Sequence, residues 1–102
     1  MNSLVEKRRG EVQALCRRYD VLRLDLFGSA ATGQDRFGGS DLDFLVEFLP
    51  LAPGRYAGAH FGLLESLQEL FGRPVDLVVA SSIKNPYFRE AVERTKALLY
   101  AA

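Results

Sequence analysis

The sequence has little of the side-chain chemistry on which many small proteins rely. It contains one cysteine, Cys16, one histidine, His60, and no tryptophan. A single cysteine excludes an internal disulfide and fits a reducing compartment. His60 has no sequence neighbours with which to form a metal site. We therefore expect Cys16 to be a small core residue and His60 to serve packing or the surface.

The sequence also lacks long apolar runs and an excess of either charge. No run approaches the roughly 18 to 20 residues of a membrane span, and residues 1–12 lack the apolar core of a signal peptide. The 13 basic residues balance 13 acidic ones, which argues against direct binding of nucleic acid. With 102 residues, 48% of them hydrophobic, we expect one soluble cytoplasmic domain spanning residues 1–102, without membrane contact.

Hydrophobic periodicity predicts an alternation of helices and strands. Ser3 and Glu6 suggest a capping box, Gly72 a helix stop and Asn85 a helix cap. The expected helices lie at about 3–19 and 56–71, with a short one within 28–33 and a last one opening at 85–86, and the strands lie at 22–27, 42–49 and 74–79.

This order of elements predicts an α+β fold of α/β-like character. We expect a small mixed three-stranded sheet with helices packed mainly on one face. Leu22, Leu24 and Leu26 should share one face of the first strand, and Asp25 should lie at an edge or on the wet face. Leu99 should continue the apolar stripe of the last helix.

Three aspartates interrupt the strands. Asp41 and Asp43 are two residues apart, so their side chains should share a face with Cα atoms about 6.7 Å apart. That spacing can flank two divalent ions held about 3.5 to 4 Å apart. Asp76 can join them if the third strand lies beside the second. Two like charges at 4 Å cost on the order of 4 kcal/mol at a dielectric near 20, and oxygen ligands favour Mg²⁺ or Mn²⁺ as the neutralising ion.

The Gly28-Ser29 turn ends one strand and opens a short helix. Glycine permits close approach of the backbone, and free N–H groups with the Ser29 hydroxyl can hold an anion. Taken singly, such features are turn glycines or a turn before a strand. Their combination with the three aspartates favours a nucleoside-triphosphate site.

The segments "GSAATG", "SDLDFLV" and "PVDLV" resemble the nucleotidyltransferase superfamily of DNA polymerase beta, and more closely its minimal nucleotidyltransferase (MNT) branch. The motifs fall within residues 22–79. The resemblance implies a nucleotidyltransferase fold. Members of this branch are often encoded beside HEPN-domain proteins as toxin–antitoxin pairs, so it also implies a HEPN toxin as partner. An oligomer is left open.

The resemblance further implies attack of a hydroxyl on the α-phosphate of ATP, with two Mg²⁺ ions as cofactors and a tyrosine of the HEPN toxin as the favoured acceptor. Asp76 would also help to take the proton of the nucleophile. The implied catalytic and metal-binding residues are Asp41, Asp43 and Asp76, and the implied nucleotide-binding residues are Gly28, Ser29 and Ser40.

The sequence departs from the family pattern in three ways, one of which is a spacer from Gly33 to Ser40 that is a residue longer than the commonest form. Ala30 and Ala31 replace the basic residue that many relatives carry after Gly-Ser, so Arg36 or a partner would have to meet the phosphate charge. No substrate-binding domain is recognisable after the motifs, which argues against aminoglycoside, transfer-RNA and polymerase activities. A non-catalytic antitoxin that neutralises a HEPN partner by complex formation is the main alternative to the enzyme. Transfer to a small molecule is a third, and would need a pocket supplied by dimerisation.

Overall fold

The computed structural model describes residues 2–33 and 41–102. Within them the chain alternates between helices, named α1 to α5, and strands, named β1 to β4. In chain order they are α1 Ser3–Lys7, α2 Arg9–Arg18, β1 Val21–Phe27, α3 Ser29–Thr32, β2 Leu42–Phe48, α4 Tyr56–Phe71, β3 Val75–Val79, a 3₁₀ turn Ala80–Ser82, α5 Pro86–Thr95 and β4 Ala97–Ala101.

The sheet is mixed, as expected, but it has four strands rather than three. Their order is β3-β2-β1-β4. β1 pairs antiparallel with both β2 and β4, and β2 pairs parallel with β3. β1 is therefore a central strand, and β3 and β4 form the two edges.

The fourth strand corrects the prediction of a long last helix. α5 ends at Thr95, and Lys96 turns to an extended conformation at φ −63° and ψ 142°. Ala97 then pairs with Leu26 of β1. Leu99, expected on the helix stripe, is instead a buried residue of β4. Non-local pairing with β1 overrides the helical spacing of this segment.

The N-terminal helix is also divided, at Arg8, into α1 and α2. The predicted capping box is wrong by one position, because the side chain of Asn2 accepts the amide hydrogens of Leu4 and Val5. Glu6, expected to complete the box, is paired with Arg9 at 2.7 Å.

Two hydrophobic clusters lie on opposite faces of the sheet. The larger one joins Leu42, Phe44 and Leu26 of the sheet to α2 and α4, and contains Cys16 as expected. The smaller one joins Phe27 and Leu45 to Val92 of α5. Most helices thus cover one face, as predicted, and α5 covers part of the other.

Two predictions for β1 are wrong. A register shift between Val21 and Arg23 turns Leu22 outward, so it does not share the buried face of Leu24 and Leu26. Asp25 is only 1% exposed rather than at an edge. The Arg23 guanidinium donates to both of its carboxylate oxygens, at 2.9 and 3.2 Å, which compensates the buried charge.

The local stop and start signals of α4 and α5 are confirmed. α4 ends at Gly72, whose positive φ of 63° suits glycine. The Asn85 side chain accepts the amide hydrogens of Tyr87 and Phe88 at 2.8 and 3.2 Å, and caps α5. Of the helices in residues 2–33 and 41–102, none combines the length and apolar character needed to cross a bilayer.

Candidate active site

Two carboxylates face each other at the beginnings of β2 and β3. Asp43 and Asp76 are register partners on these parallel strands, so their Cα atoms are about 4.8 Å apart and their side chains share a face. The residues on either side of Asp43, Leu42 and Phe44, point into the larger core, so Asp43 points to the opposite face. Asp41 immediately precedes β2 and is exposed.

Gly28 brings the backbone of the turn against Asp43. It follows Phe27, whose register partner on β2 is Asp43. Its φ of 73° and ψ of −152° suit glycine alone. A Cβ atom at Gly28 would lie 2.9 Å from Oδ2 of Asp43. The absence of a side chain therefore allows the turn and the carboxylate to meet.

The turn is fixed by hydrogen bonds to distant parts of the chain. Ser29 begins α3 directly after Gly28. The carbonyl of Ala30 accepts the amide hydrogen of Asn2 at 2.7 Å. The amide of Gly28 donates to Oγ1 of Thr95 at 3.0 Å. The position of Ser29 is therefore set by contacts from the N-terminal segment and from α5.

The electrostatics of the site centre on Asp43. Its pKa is raised above the ordinary value, first by burial and then by the negative charges of Asp76 and Asp41. The charge of Asp41 thus acts on Asp43 although Asp41 lies outside the strand. Concentrated negative charge of this kind is relieved by a proton or by a cation.

The structure therefore brings Asp43, Asp76 and the Gly28-Ser29 turn together where β1 ends and β2 and β3 begin, with Asp41 beside them. The predicted nucleotide contact Ser40 and the candidate phosphate ligand Arg36 lie outside the described residues. In residues 2–33 and 41–102, no three His, Cys, Asp or Glu side chains already form a group that could hold a metal ion. Asp41 and Asp76 are exposed to solvent.

Sequence reasoning missed the part that Thr95 plays beside this site. The spacing of Phe88, Val92 and Thr95 predicts one face of α5, and Val92 is indeed buried. The remaining signal was a hydroxyl on an otherwise apolar stripe. Nothing in the local sequence indicates that its partner is the amide of Gly28, 67 residues away.

A cavity of about 800 Å³ lies at the other end of β2 and β3, and its lining includes Glu47, Tyr56, His60 and Arg89. Several of its polar atoms are engaged within the chain. The Tyr56 hydroxyl accepts the Leu51 amide hydrogen, His60 Nε2 bonds the carbonyl of Leu77, and Arg89 donates to a backbone carbonyl. His60 thus has a packing role, as expected. The group of carboxylates around Asp43 and Asp76 is a better candidate active site than this cavity.

Comparisons with known proteins agree with this architecture. Residues 10–99 match the family model described as "Nucleotidyltransferase domain". A Methanocaldococcus jannaschii protein named "Putative protein adenylyltransferase MJ1379" is 36% identical over 76 residues, which cover 74% of each chain. A solved structure of a "putative minimal nucleotidyltransferase" is 36% identical, covers 95% of both chains and superposes with a TM-score of 0.75.

A more distant structural neighbour shares the fold. It belongs to the structure of tri-AMPylated Shewanella oneidensis HEPN toxin in complex with MNT antitoxin, with 19% identity, a TM-score of 0.65 and coverage of 95% of this chain and 72% of the other. The chain belongs to the nucleotidyltransferase domain family, and within it to the minimal nucleotidyltransferases. The fold and enzyme class expected from the sequence motifs are thereby confirmed.

Proposed function

We propose that the chain transfers AMP from ATP to a hydroxyl of a HEPN-domain toxin, with tyrosine as the favoured acceptor, and so acts as an antitoxin. The observation that carries the proposal is that Asp43, Asp76 and Gly28 lie close together where β1 ends and β2 and β3 begin. The name of the Methanocaldococcus relative supports a protein acceptor, and the AMPylated HEPN complex supports the kind of partner. We also propose a cytoplasmic location, with which the free thiol of Cys16 is compatible.

The carboxylates fit a hard divalent cation. They supply only oxygen donors, and the pKa of Asp43 is raised by burial and by the negative charges of Asp76 and Asp41, which a cation would offset. We assign the binding of Mg²⁺, with Mn²⁺ as a substitute, to Asp41, Asp43 and Asp76. Two such ions would neutralise triphosphate charge and make the acceptor hydroxyl more acidic.

The chain's own residues bind the triphosphate and receive the proton. Ser29 and the backbone after it donate to the triphosphate at the turn, Gly28 lets the backbone approach it closely, and Ser40 is a further contact. The acceptor oxygen forms a bond to the α-phosphorus while the bond from that phosphorus to the α–β bridging oxygen breaks, and pyrophosphate leaves. The proton of the acceptor hydroxyl passes to Asp76.

The proposal is tested by incubating the chain with its HEPN partner, ATP and Mg²⁺ and measuring the intact mass of the partner. We expect mass increases of whole AMP units, which peptide mapping should place on tyrosine. Chelation of divalent cations with EDTA should abolish the increase, and added Mg²⁺ or Mn²⁺ should restore it.

The matched variants are D41N with D43N against D20N. The double variant removes two carboxylates of the site and should reduce AMP transfer by at least about 10³-fold. D20N makes the same chemical change at an exposed position with a φ of 58°, which asparagine tolerates, and should transfer AMP normally. An unmodified but inhibited partner would refute the enzyme and favour the non-catalytic antitoxin.

A further inference from the structure

We infer that Thr95 is a positioning residue of the candidate active site. Its hydroxyl holds the amide of Gly28, and through it Ser29, where the turn can bind the triphosphate. The inference rests on the proposed function of Gly28 and Ser29, and it adds a residue from α5 that touches neither nucleotide nor acceptor. The contact that carries it is the 3.0 Å hydrogen bond from the Gly28 amide to Oγ1 of Thr95.

The Thr95 hydroxyl is oriented by a second hydrogen bond. Its Oγ1 lies 3.0 Å from the carbonyl oxygen of Ala91, one turn earlier in α5. The hydroxyl donates its hydrogen to that carbonyl, which leaves a lone pair for the Gly28 amide. A serine can make both contacts. A valine of nearly the same shape can make neither, and would leave the amide of Gly28 without this acceptor.

The end of α5, which carries Thr95, is itself held in place on both sides of that residue. Val92, one turn before Thr95, is buried in the cluster that contains Phe27. After Thr95 only Lys96 intervenes before β4, where Ala97 pairs with Leu26 of β1. The end of α5 is therefore fixed to β1 directly beside the turn that it supports.

The bond also determines which groups of the turn remain for a phosphate. Since the amide of Gly28 is committed to Thr95, the Ser29 hydroxyl and the backbone that follows must supply the donors. The Cα of Ser29 lies one peptide, about 3.8 Å, from that of Gly28. Asp43 also crowds Gly28, because a Cβ there would lie 2.9 Å from its Oδ2.

The test compares T95V with T95S, and uses S82A as a matched control. S82A also removes a hydroxyl that donates to a backbone carbonyl, 2.7 Å away at Val79, but far from the site. Three quantities are measured: hydrogen exchange of the Gly28 amide, affinity for Mg²⁺ with α,β-methylene-ATP, and the KM for ATP and kcat of AMP transfer. All are taken well below the Tm of each variant.

For T95V we expect hydrogen exchange of the Gly28 amide to accelerate about tenfold. We expect the nucleotide affinity to weaken by about three- to tenfold and the KM for ATP to rise by the same factor, with a smaller change in kcat. T95S should behave within about twofold of the wild type, and S82A should leave all three quantities unchanged. If T95V is too unstable to measure, T95A replaces it with the same expectations.

The inference is overturned if T95V keeps wild-type Gly28 exchange and nucleotide affinity, or if T95S is as impaired as T95V. Its failure is separable from that of the proposed function. A wild-type chain that binds the nucleotide but transfers no AMP refutes the proposed function, while exchange and affinity still decide the part of Thr95. A wild-type chain that binds no nucleotide refutes both.

Discussion

At the scale of single residues, Asp43 is in an electrostatically unfavourable position without metal. Burial and the charges of Asp76 and Asp41 raise its pKa, so the folded state binds a proton more tightly than the unfolded chain. Ionisation of Asp43 therefore lowers the free energy of unfolding. This loss is absent below the pKa of the unfolded chain, about 3.9, and complete above the raised pKa of the folded state. We expect D43N to raise the Tm at pH 7 in EDTA and not at pH 3.

Differential scanning calorimetry at the two pH values checks this expectation. The change in Tm caused by D43N at pH 7, minus the change at pH 3, gives the contribution of Asp43 ionisation without any effect of the amide itself. D20N, at an exposed position, should change the Tm equally little at both pH values. A D43N variant whose Tm relative to wild type is the same at pH 7 and pH 3 would contradict the account of Asp43.

Gly28 and Gly33 differ both in backbone conformation, with ψ of −152° and 13°, and in how closely other atoms approach them. Both have positive φ, 73° and 78°, but among residues 2–33 and 41–102 a Cβ at Gly33 would meet no atom within 4 Å, whereas one at Gly28 would meet Asp43 at 2.9 Å. We expect G33A to lower the free energy of unfolding by about 1 kcal/mol and G28A by about 2 to 4 kcal/mol, because overpacking adds to strain. Urea denaturation measures both, and equal losses would refute the contact.

The residues of the site differ in how far the sequence predicts them. Asp43 and Asp76 interrupt apolar strands at matching positions, and strand geometry then brings them together. That pattern is local to each strand and needs only their adjacency. The partnership of Gly28 with Thr95 depends on the path of the chain between them. No local periodicity encodes such a path, so the contact was found only in the structure.

At the scale of elements, locally encoded boundaries were predictable and non-local ones were not. α4 begins and ends as predicted, and its end is encoded locally because Gly72 supplies a left-handed stop directly after Phe71. β4 continues the apolar spacing of α5 and contains residues that suit either a helix or a strand. Its assignment depends on hydrogen bonding to β1, and tertiary pairing of this kind overrides weak local propensity.

The burial of Leu99 and Leu98 gives a test of β4. Leu99 is 1% exposed and Leu98 is 45% exposed, as adjacent strand residues on opposite faces should be. We expect L99A to lower the free energy of unfolding by about 2 to 5 kcal/mol and L98A by less than about 0.5 kcal/mol. Urea denaturation measures both losses. A loss from L98A as large as that from L99A would argue against the strand.

At the scale of the whole molecule, the site is assembled from separate parts of the chain. Asp43, Asp76 and Gly28 come from β2, β3 and the end of β1, while Thr95 supports them from α5. Each element contributes one group, so loss of the sheet or of α5 separates the groups. A ligand that binds these groups should therefore stabilise the whole folded domain, because it binds the native state and not the unfolded chain.

Cys16 provides a probe of that unit. It is fully buried in α2, and burial raises its pKa to about 12. In the folded state, therefore, only about one thiol in 10⁴ is ionised at pH 8. Labelling by a thiol reagent should therefore require opening of the core and should accelerate with urea as global unfolding does. Mg²⁺ with α,β-methylene-ATP at 100 times its Kd should slow labelling about 100-fold.

The unfolded chain in high urea sets the intrinsic reactivity of the thiol, and C16A sets the background. Rapid labelling in native buffer that is insensitive to urea would show that α2 opens independently of the sheet. Labelling that accelerates with urea but is unchanged by the nucleotide would instead show that nucleotide binding does not stabilise the core. The expected joint response to urea and nucleotide follows because the larger core, which holds Cys16, also holds Leu42 and Phe44 on either side of Asp43.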